Sequence, residues 1–272
     1  MTYSTLMVQL ELGQPNTDVL RIAADLAHRF DAAVIGIAGC QPMQMVVGDG
    51  YICGDLIAEN DQLVVTEIAA AEEQFRTALA GCTGALSWRG SRSCSSIADY
   101  VARAARAADL IVVGTASDAA DAQRRLNLDD LVMQAGRPLL VVPPAATPLQ
   151  RVMIGWTDTR ETRRAVADAL PLLKMASQVV VAELDPDGEQ DAAHTRLDDV
   201  CAWLRRHGVD ATTVAVVSHG DEAKQLQSLA DEQRADVIVA GAFGHSRLLE
   251  WVLGGVTRSL LVPVGRCSLL SH

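Results

Sequence analysis

The residues best suited to chemistry in this chain lie between Gly241 and Thr257. Glycines stand at Gly241, Gly244, Gly254 and Gly255, with hydroxyls at Ser246 and Thr257 and side-chain nitrogens at His245 and Arg247. The stretch follows an aliphatic run, Ala235 to Gly241, that reads as a buried strand. It leads into a short apolar helix from about Val256 to Val262. Strand, glycine-bearing loop and helix N-terminus together form an arrangement that holds phosphate. Glycine lets backbone N–H groups approach an anion with no Cβ in the way, and the helix dipole adds partial positive charge. The competing reading is turn chemistry alone, in which glycine serves only positive φ at a strand end and a helix start. Against it, glycines 254 and 255 would cost roughly 1 kcal/mol each in a helical pattern if they served nothing. The residues themselves leave both readings open.

Other chemistries find less support. A nucleophile elbow needs Gly-x-Ser-x-Gly, and Ser246 is followed by Arg247 and Leu248. His245 and Ser246 are therefore read as a loop pair that hydrogen-bonds phosphate or backbone, and Arg247 as facing either a phosphate or water. Trp156 and Trp251 are read as core or interface residues. His194, His207 and His219 share no metal-ligand spacing, and none of the six cysteines (40, 53, 82, 94, 201, 267) forms a CxxC pair. No metal motif is expected, and Mg²⁺ only in company with a nucleotide. With no general base, metal cluster or activated nucleophile in view, the chain is not expected to be an enzyme beyond weak ATPase activity.

The elements that must position the glycine loop recur. Ala108 to Gly114 matches Ala235 to Gly241 at an offset of 127, and Leu6 to Leu10 matches Val152 to Trp156 at an offset of 146. The extra residues of the first copy fall in the Met-, Gly- and Asp-rich stretch 41–63. The first copy reads as strands 4–10, 32–38, 84–89, 109–114 and 138–142, with helices 16–30, 58–80, 95–107 and near 127–135. The second reads as strands 151–156, 177–183, 210–217, 236–241 and 266–270, with helices 160–175, 191–207, 221–233 and 255–262. Alternating strands and helices predict βαβ units and parallel sheets. Prolines at 143, 144 and 148 mark a linker. The expected division is a first domain over 1–143, a linker over 144–149 and a second domain over 150–272.

The spacing Gly-x2-Gly-x9-Gly followed by small or hydroxyl residues resembles the nucleotide loop of the universal stress protein family. Val152 to Trp156, Thr159-Arg-Glu and Arg164-Ala-Val-Ala resemble that family's first strand and first helix, and Ser268 to His272 its closing strand in two-domain members. The resemblance implies an α/β fold of two doubly wound, parallel, five-stranded Rossmann-like sheets, arranged as an intramolecular pseudo-dimer. It implies an adenine nucleotide such as ATP as ligand. The ligand would lie in the crevice outside the carboxyl ends of the first and fourth strands of the second domain, where strand order reverses. Thr157 and Asp158 would then wall the cleft opposite Gly241, Gly244, Gly254, Gly255, Val256 and Thr257. Nucleotide-binding relatives carry Ser or Thr at the place of Gly255 and an acidic residue at the place of Thr157. The implied function is a nucleotide-dependent signalling or protective module in the stress response. The alternatives are a scaffold that binds no nucleotide and, further off, an enzyme of the related α/β class.

In the first copy Gly114 remains, but Ser117, Asn127, Leu128 and Asp130 replace the glycines and the threonine, and Asp118, Asp121 and Asp129 oppose phosphate. That domain is expected to have no triphosphate site and to pair with the second.

Composition narrows the partners. Net charge is −11, with 10 basic against 17 acidic residues up to 147 and 13 against 17 beyond, so neither half attracts a polyanion. Arg124-Arg125 and Arg205-Arg206 are isolated pairs, and no nucleic-acid track is expected. Hydrophobic residues make up 49% and aromatics 4%, so the cores must be aliphatic. No apolar run is long enough for a transmembrane helix and no signal peptide is evident, so a cytoplasmic location without membrane partners is expected. A homodimer of the tandem chain is allowed by the sequence but not specified by it.

Overall fold

The computed structural model describes residues 2–42, 54–115, 123–185, 188–243, 255–263 and 265–272. The chain divides into two compact units, Tyr3–Ala135 and Gly136–His272, the second joined by residues 1–2.

The Tyr3–Ala135 unit runs β1 (Thr5–Gln9), α1 (Thr17–Phe30), β2 (Ala33–Gly39), α2 (Gly54–Ala78), β3 (Leu86–Ser91), α3 (Ile97–Ala104), a 3₁₀ turn (Ala105–Ala107), β4 (Leu110–Gly114) and α4 (Leu128–Gln134). Its strands are parallel in the order β3-β2-β1-β4. β1, β2 and β4 are nearly continuous buried aliphatic runs, as sheets covered on both faces require. α1 buries Val19, Ile22, Ala23, Leu26 and Ala27, the i, i+3, i+4, i+7, i+8 stripe of an amphipathic helix. The helix expected over 95–107 begins at Ile97 because Ser96 caps it, its side chain accepting from the Asp99 N–H.

The Gly136–His272 unit runs β5 (Leu139–Val142), β6 (Arg151–Trp156), α5 (Arg160–Met175), β7 (Gln178–Asp185), α6 (Gln190–Arg206), β8 (Thr212–Val217), α7 (Glu222–Glu232), β9 (Val237–Gly241), α8 (Gly255–Leu261) and β10 (Cys267–Ser271). β10-β9-β6-β7-β8 are mutually parallel. β5, which the repeat pattern assigns to the first copy, pairs antiparallel with β10 inside this second unit. Both units thus have the alternating α/β organisation expected of them.

The repeat carries one structural device into both units. Asp109 accepts hydrogen bonds from the Ser4 and Thr5 N–H groups at 2.8 and 3.0 Å. Asp236, at its place in the second copy, accepts from Gln150 and Arg151 at 3.1 and 2.9 Å. Each carboxylate ties the start of the fourth strand to the start of the first, and so sets which ends of these strands open together. In the second unit the chain leaves β6 toward β7 and β8 and returns to its other side as β9. The order therefore reverses between β6 and β9, which are hydrogen-bonded neighbours.

Candidate functional site

At the carboxyl end of β6, strand alternation sends Gly155 and Trp156 to opposite faces of the sheet. On the Gly155 face lies a cavity of about 200 Å³, lined among others by Gly155, Trp156, Thr157, Leu226, Gly241 and Glu222. Small residues make the space: Gly155 and Ala182 are register partners on β6 and β7. The nearest atoms to a Cβ at Gly155 would be the Leu226 methyls, at 3.5 and 3.7 Å, and the Val239 carbonyl at 3.8 Å, all ordinary contacts. Glu222 stands in the first turn of α7, capped by Asp221, which accepts from the Lys224 N–H. The cavity therefore has an apolar floor, threonines at Thr157 and Thr162 and one carboxylate, Glu222, at its side.

Gly241 has a structural duty here. A Cβ on it would come within 2.5 Å of the Thr162 nitrogen and 2.7 Å of the Glu161 carbonyl carbon, so β9 ends directly against the first turn of α5. Its counterpart Gly114 is less confined, a Cβ there meeting the Val19 Cγ2 at 3.1 Å.

The start of the glycine loop is held on three sides. The Ala242 N–H donates to the Ser271 carbonyl at 2.8 Å, and the His272 Nδ1 lies 3.0 Å from the Ala242 carbonyl. Phe243 takes a positive φ of 56° and donates its N–H to the Thr257 hydroxyl at 3.4 Å. Thr257 is buried, so its oxygen braces the loop against α8. Among the described residues nothing lies within 4 Å of a Cβ at Gly255, the first residue of α8.

The first turn of α5 is satisfied within itself. Thr159 caps it, accepting from the Thr162 N–H at 3.3 Å, and the Thr157 carbonyl accepts from the Thr159 N–H at 2.7 Å. Glu161 is only 2% exposed and accepts a hydrogen bond from Arg160. Burial pushes the Glu161 carboxyl up, but the Arg160 guanidinium, the backbone and His272 outweigh it and hold the group below its ordinary value.

Of the residues expected at the site, Thr157, Gly241 and Val256 line the cavity together, and Gly255 and Thr257 stand on the adjoining helix. Asp158 does not line it. It pairs with Arg163 at 2.5 Å beside a second cavity on the other face. Gly244, His245, Ser246, Arg247 and Gly254 lie outside the described residues. Sequence reasoning missed Gly155, Ala182, Leu226 and Glu222. A glycine inside a strand was the available signal for Gly155, but the other three need the register and the placement of α7.

At the corresponding helix of the first unit, Asn127 caps α4 by accepting from the Asp130 N–H at 3.1 Å, and Asp129 and Asp130 occupy the first turn. A cap oxygen and two carboxylates there oppose an anion. Asp118 and Asp121 fall outside the described residues. Among the described residues, no group of three or more His, Cys, Asp or Glu could hold a metal ion, and no helix is long and apolar enough to cross a membrane.

Residues 148–262 match the model of the universal stress protein family. Solved structures share the fold of the whole chain. A universal stress protein from Archaeoglobus fulgidus DSM 4304 is 14% identical at a TM-score of 0.68, over 98% of this chain and 95% of that one. A putative universal stress protein from Pseudomonas aeruginosa UCBPP-PA14 is 15% identical at 0.66, over 99% and 93%. A functionally unknown protein from Pseudomonas aeruginosa PAO1 is 15% identical at 0.65, over 99% and 92%. No curated protein matches.

Proposed function

We propose that this chain, whose residues 148–262 match the model of the universal stress protein family, is a stress-response protein that binds an adenine nucleotide in that domain and acts as a nucleotide-dependent signalling or protective module. The observation that carries the reading is the cavity of about 200 Å³ where strand order reverses, lined jointly by β6, β7, β9 and the start of α8. It is smaller than the ~300–1,000 Å³ typical of ligand pockets, so it takes the base-and-sugar part of a nucleotide. The phosphates lie outward, toward the glycine loop and α8. Glu222 suits a sugar, because a carboxylate accepts from ribose hydroxyls but repels phosphate. Thr157, Gly241, Gly255, Val256 and Thr257 belong to this site, with Gly244, His245, Ser246, Arg247 and Gly254 completing it through the loop. Asp158 is assigned no contact with the ligand. Among the described residues around the cavity none is arranged as a nucleophile with its base, and the proposal assigns the chain no more than slow ATP hydrolysis.

Gly155→Val tests the placement. The β-branched side chain suits a strand, and the nearest atoms to its Cβ are the Leu226 methyls at 3.5 and 3.7 Å and the Val239 carbonyl at 3.8 Å, all ordinary contacts, while its methyls extend into the cavity. The full-length variant should fold as the wild type does and lose saturable binding of a fluorescent ATP analogue. Undiminished binding would place the ligand elsewhere.

A further inference from the structure

β8 lies at the edge of its sheet, paired in parallel with β7 on one side and with no strand on the other among the described residues. Its hydrogen bonds fix which backbone groups face outward. The Ser218 N–H donates to the Asp185 carbonyl of β7 at 2.8 Å. Successive residues of a strand turn their N–H and C=O groups to alternate sides. Val216 and Val214 therefore also address β7, while Val217, Ala215 and Thr213 address the open edge. The Val217 carbonyl agrees, since it accepts from the Gln225 side chain at 2.6 Å. Thr213 and Ala215 are left with outward N–H and C=O groups that no described residue meets.

Such an edge is a template for another strand unless it carries a charge, a proline or a bulge. β3, the third strand of the first copy as β8 is of the second, has Arg89 and Gly90 within it. β8 reads Thr-Thr-Val-Ala-Val-Val, with neither charge nor proline, and each of its residues is at least partly exposed. The chain on its two sides is polarised. Ahead of it lie exposed Arg205 and Arg206 at the end of α6, against Asp210; behind it lie exposed Asp221 and Glu222 at the start of α7, against Lys224. One end of the strand is therefore net basic and the other net acidic. A two-fold axis across the edge sets two copies antiparallel and brings each basic end beside the other copy's acidic end. A parallel neighbour of the same sequence would set like against like.

We propose that the open edge of β8 is an interaction surface for a second copy of this chain, joined antiparallel about a two-fold axis at Val214. In that register Thr213 of each copy exchanges both its backbone hydrogen bonds with Ala215 of the other, and the Val217 carbonyl stays with Gln225. Val214 then faces Val214, and Thr212 faces Val216, so β-branched side chains stand opposite one another with no charge between them. Each copy uses up the edge it offers, so the contact builds a dimer and not a filament. It does not rest on nucleotide binding.

Sedimentation velocity of the full-length protein across a concentration series tests this, together with hydrogen exchange at each concentration. The wild type should pass from monomer to dimer, and exchange in the segment Thr212–Val217 should slow as the dimer fills. Ala215→Pro removes an outward N–H that β7 does not use, so it should weaken the dimer by about tenfold or more with the circular dichroism unchanged. Should that variant fail to fold, Arg205→Glu combined with Arg206→Glu, both on exposed helix surface, should weaken it measurably. A wild type that stays monomeric would overturn the proposal and leave the edge to a strand of another protein. A dimer with unchanged exchange in β8, or full dimer affinity in a folded variant, would overturn it equally.

Discussion

Gly241 and Thr162 meet backbone to backbone: a Cβ on the glycine would lie 2.5 Å from the threonine nitrogen. The glycine that ends β9 is therefore required by packing, whatever the loop beyond it binds. Gly241→Ala should destabilise the protein by about 1–3 kcal/mol, the usual range for overpacking a site that cannot yield. Gly114→Ala should cost less, because the obstacle at 3.1 Å is a single side-chain methyl of Val19. Urea unfolding of both variants checks the ranking; equal losses would mean that the α5 backbone moves aside.

Thr257 braces the loop through the Phe243 N–H. Thr257→Val keeps the shape and removes the acceptor, so it should cost roughly 1 kcal/mol, whereas Thr257→Ser should cost less. Thermal unfolding measures both. If Val and Ser behave alike, the hydroxyl contributes nothing to the brace.

Asp168 sets a pH dependence. Burial raises its carboxyl above the ordinary aspartate value, against the opposing hydrogen bond from Ser271 and the nearby Arg164 and Arg137. Its folded pKa is thus higher than its unfolded one, and the native state holds the proton longer. As pH rises through the window between the two values, the native state loses stability relative to the unfolded chain, and the loss then levels off. Asp168→Asn should remove that component of the pH profile. Denaturant midpoints across the acid range should show a shallower fall for the variant than for the wild type; parallel profiles would contradict this.

The order of strands and helices was readable because it is written in periodicity. Aliphatic runs such as Val237–Gly241 and the stripe of α1 need no tertiary context. The repeated Asp109 and Asp236 also showed in the sequence as a pattern, but their shared task of tying the first strand became visible only in space. The residues around the cavity divided along the same line. Gly241, Val256 and Thr157 sit at element ends, which sequence can place. Leu226 and Glu222 reach the cavity from a helix whose docking no local pattern specifies. Asp158 shows the limit most directly. One residue beyond Thr157 it lines a different cavity, with Arg163 as its partner.

The central claim, a nucleotide site that draws on α8, is tested at Gly255. Among the described residues a Cβ there has nothing within 4 Å, and Gly255 is already helical, so serine enters without strain. Gly255→Ser adds a hydroxyl at the start of the helix, where the account puts phosphate. A hydrogen bond to a charged group contributes roughly 1.5–3 kcal/mol, or about 10- to 150-fold in affinity. Isothermal titration of ATP into the full-length wild type and the Gly255→Ser variant is the decisive measurement. The account predicts saturable heat from the wild type and tighter binding by the variant. No heat from either protein would contradict it and leave the loop a scaffold.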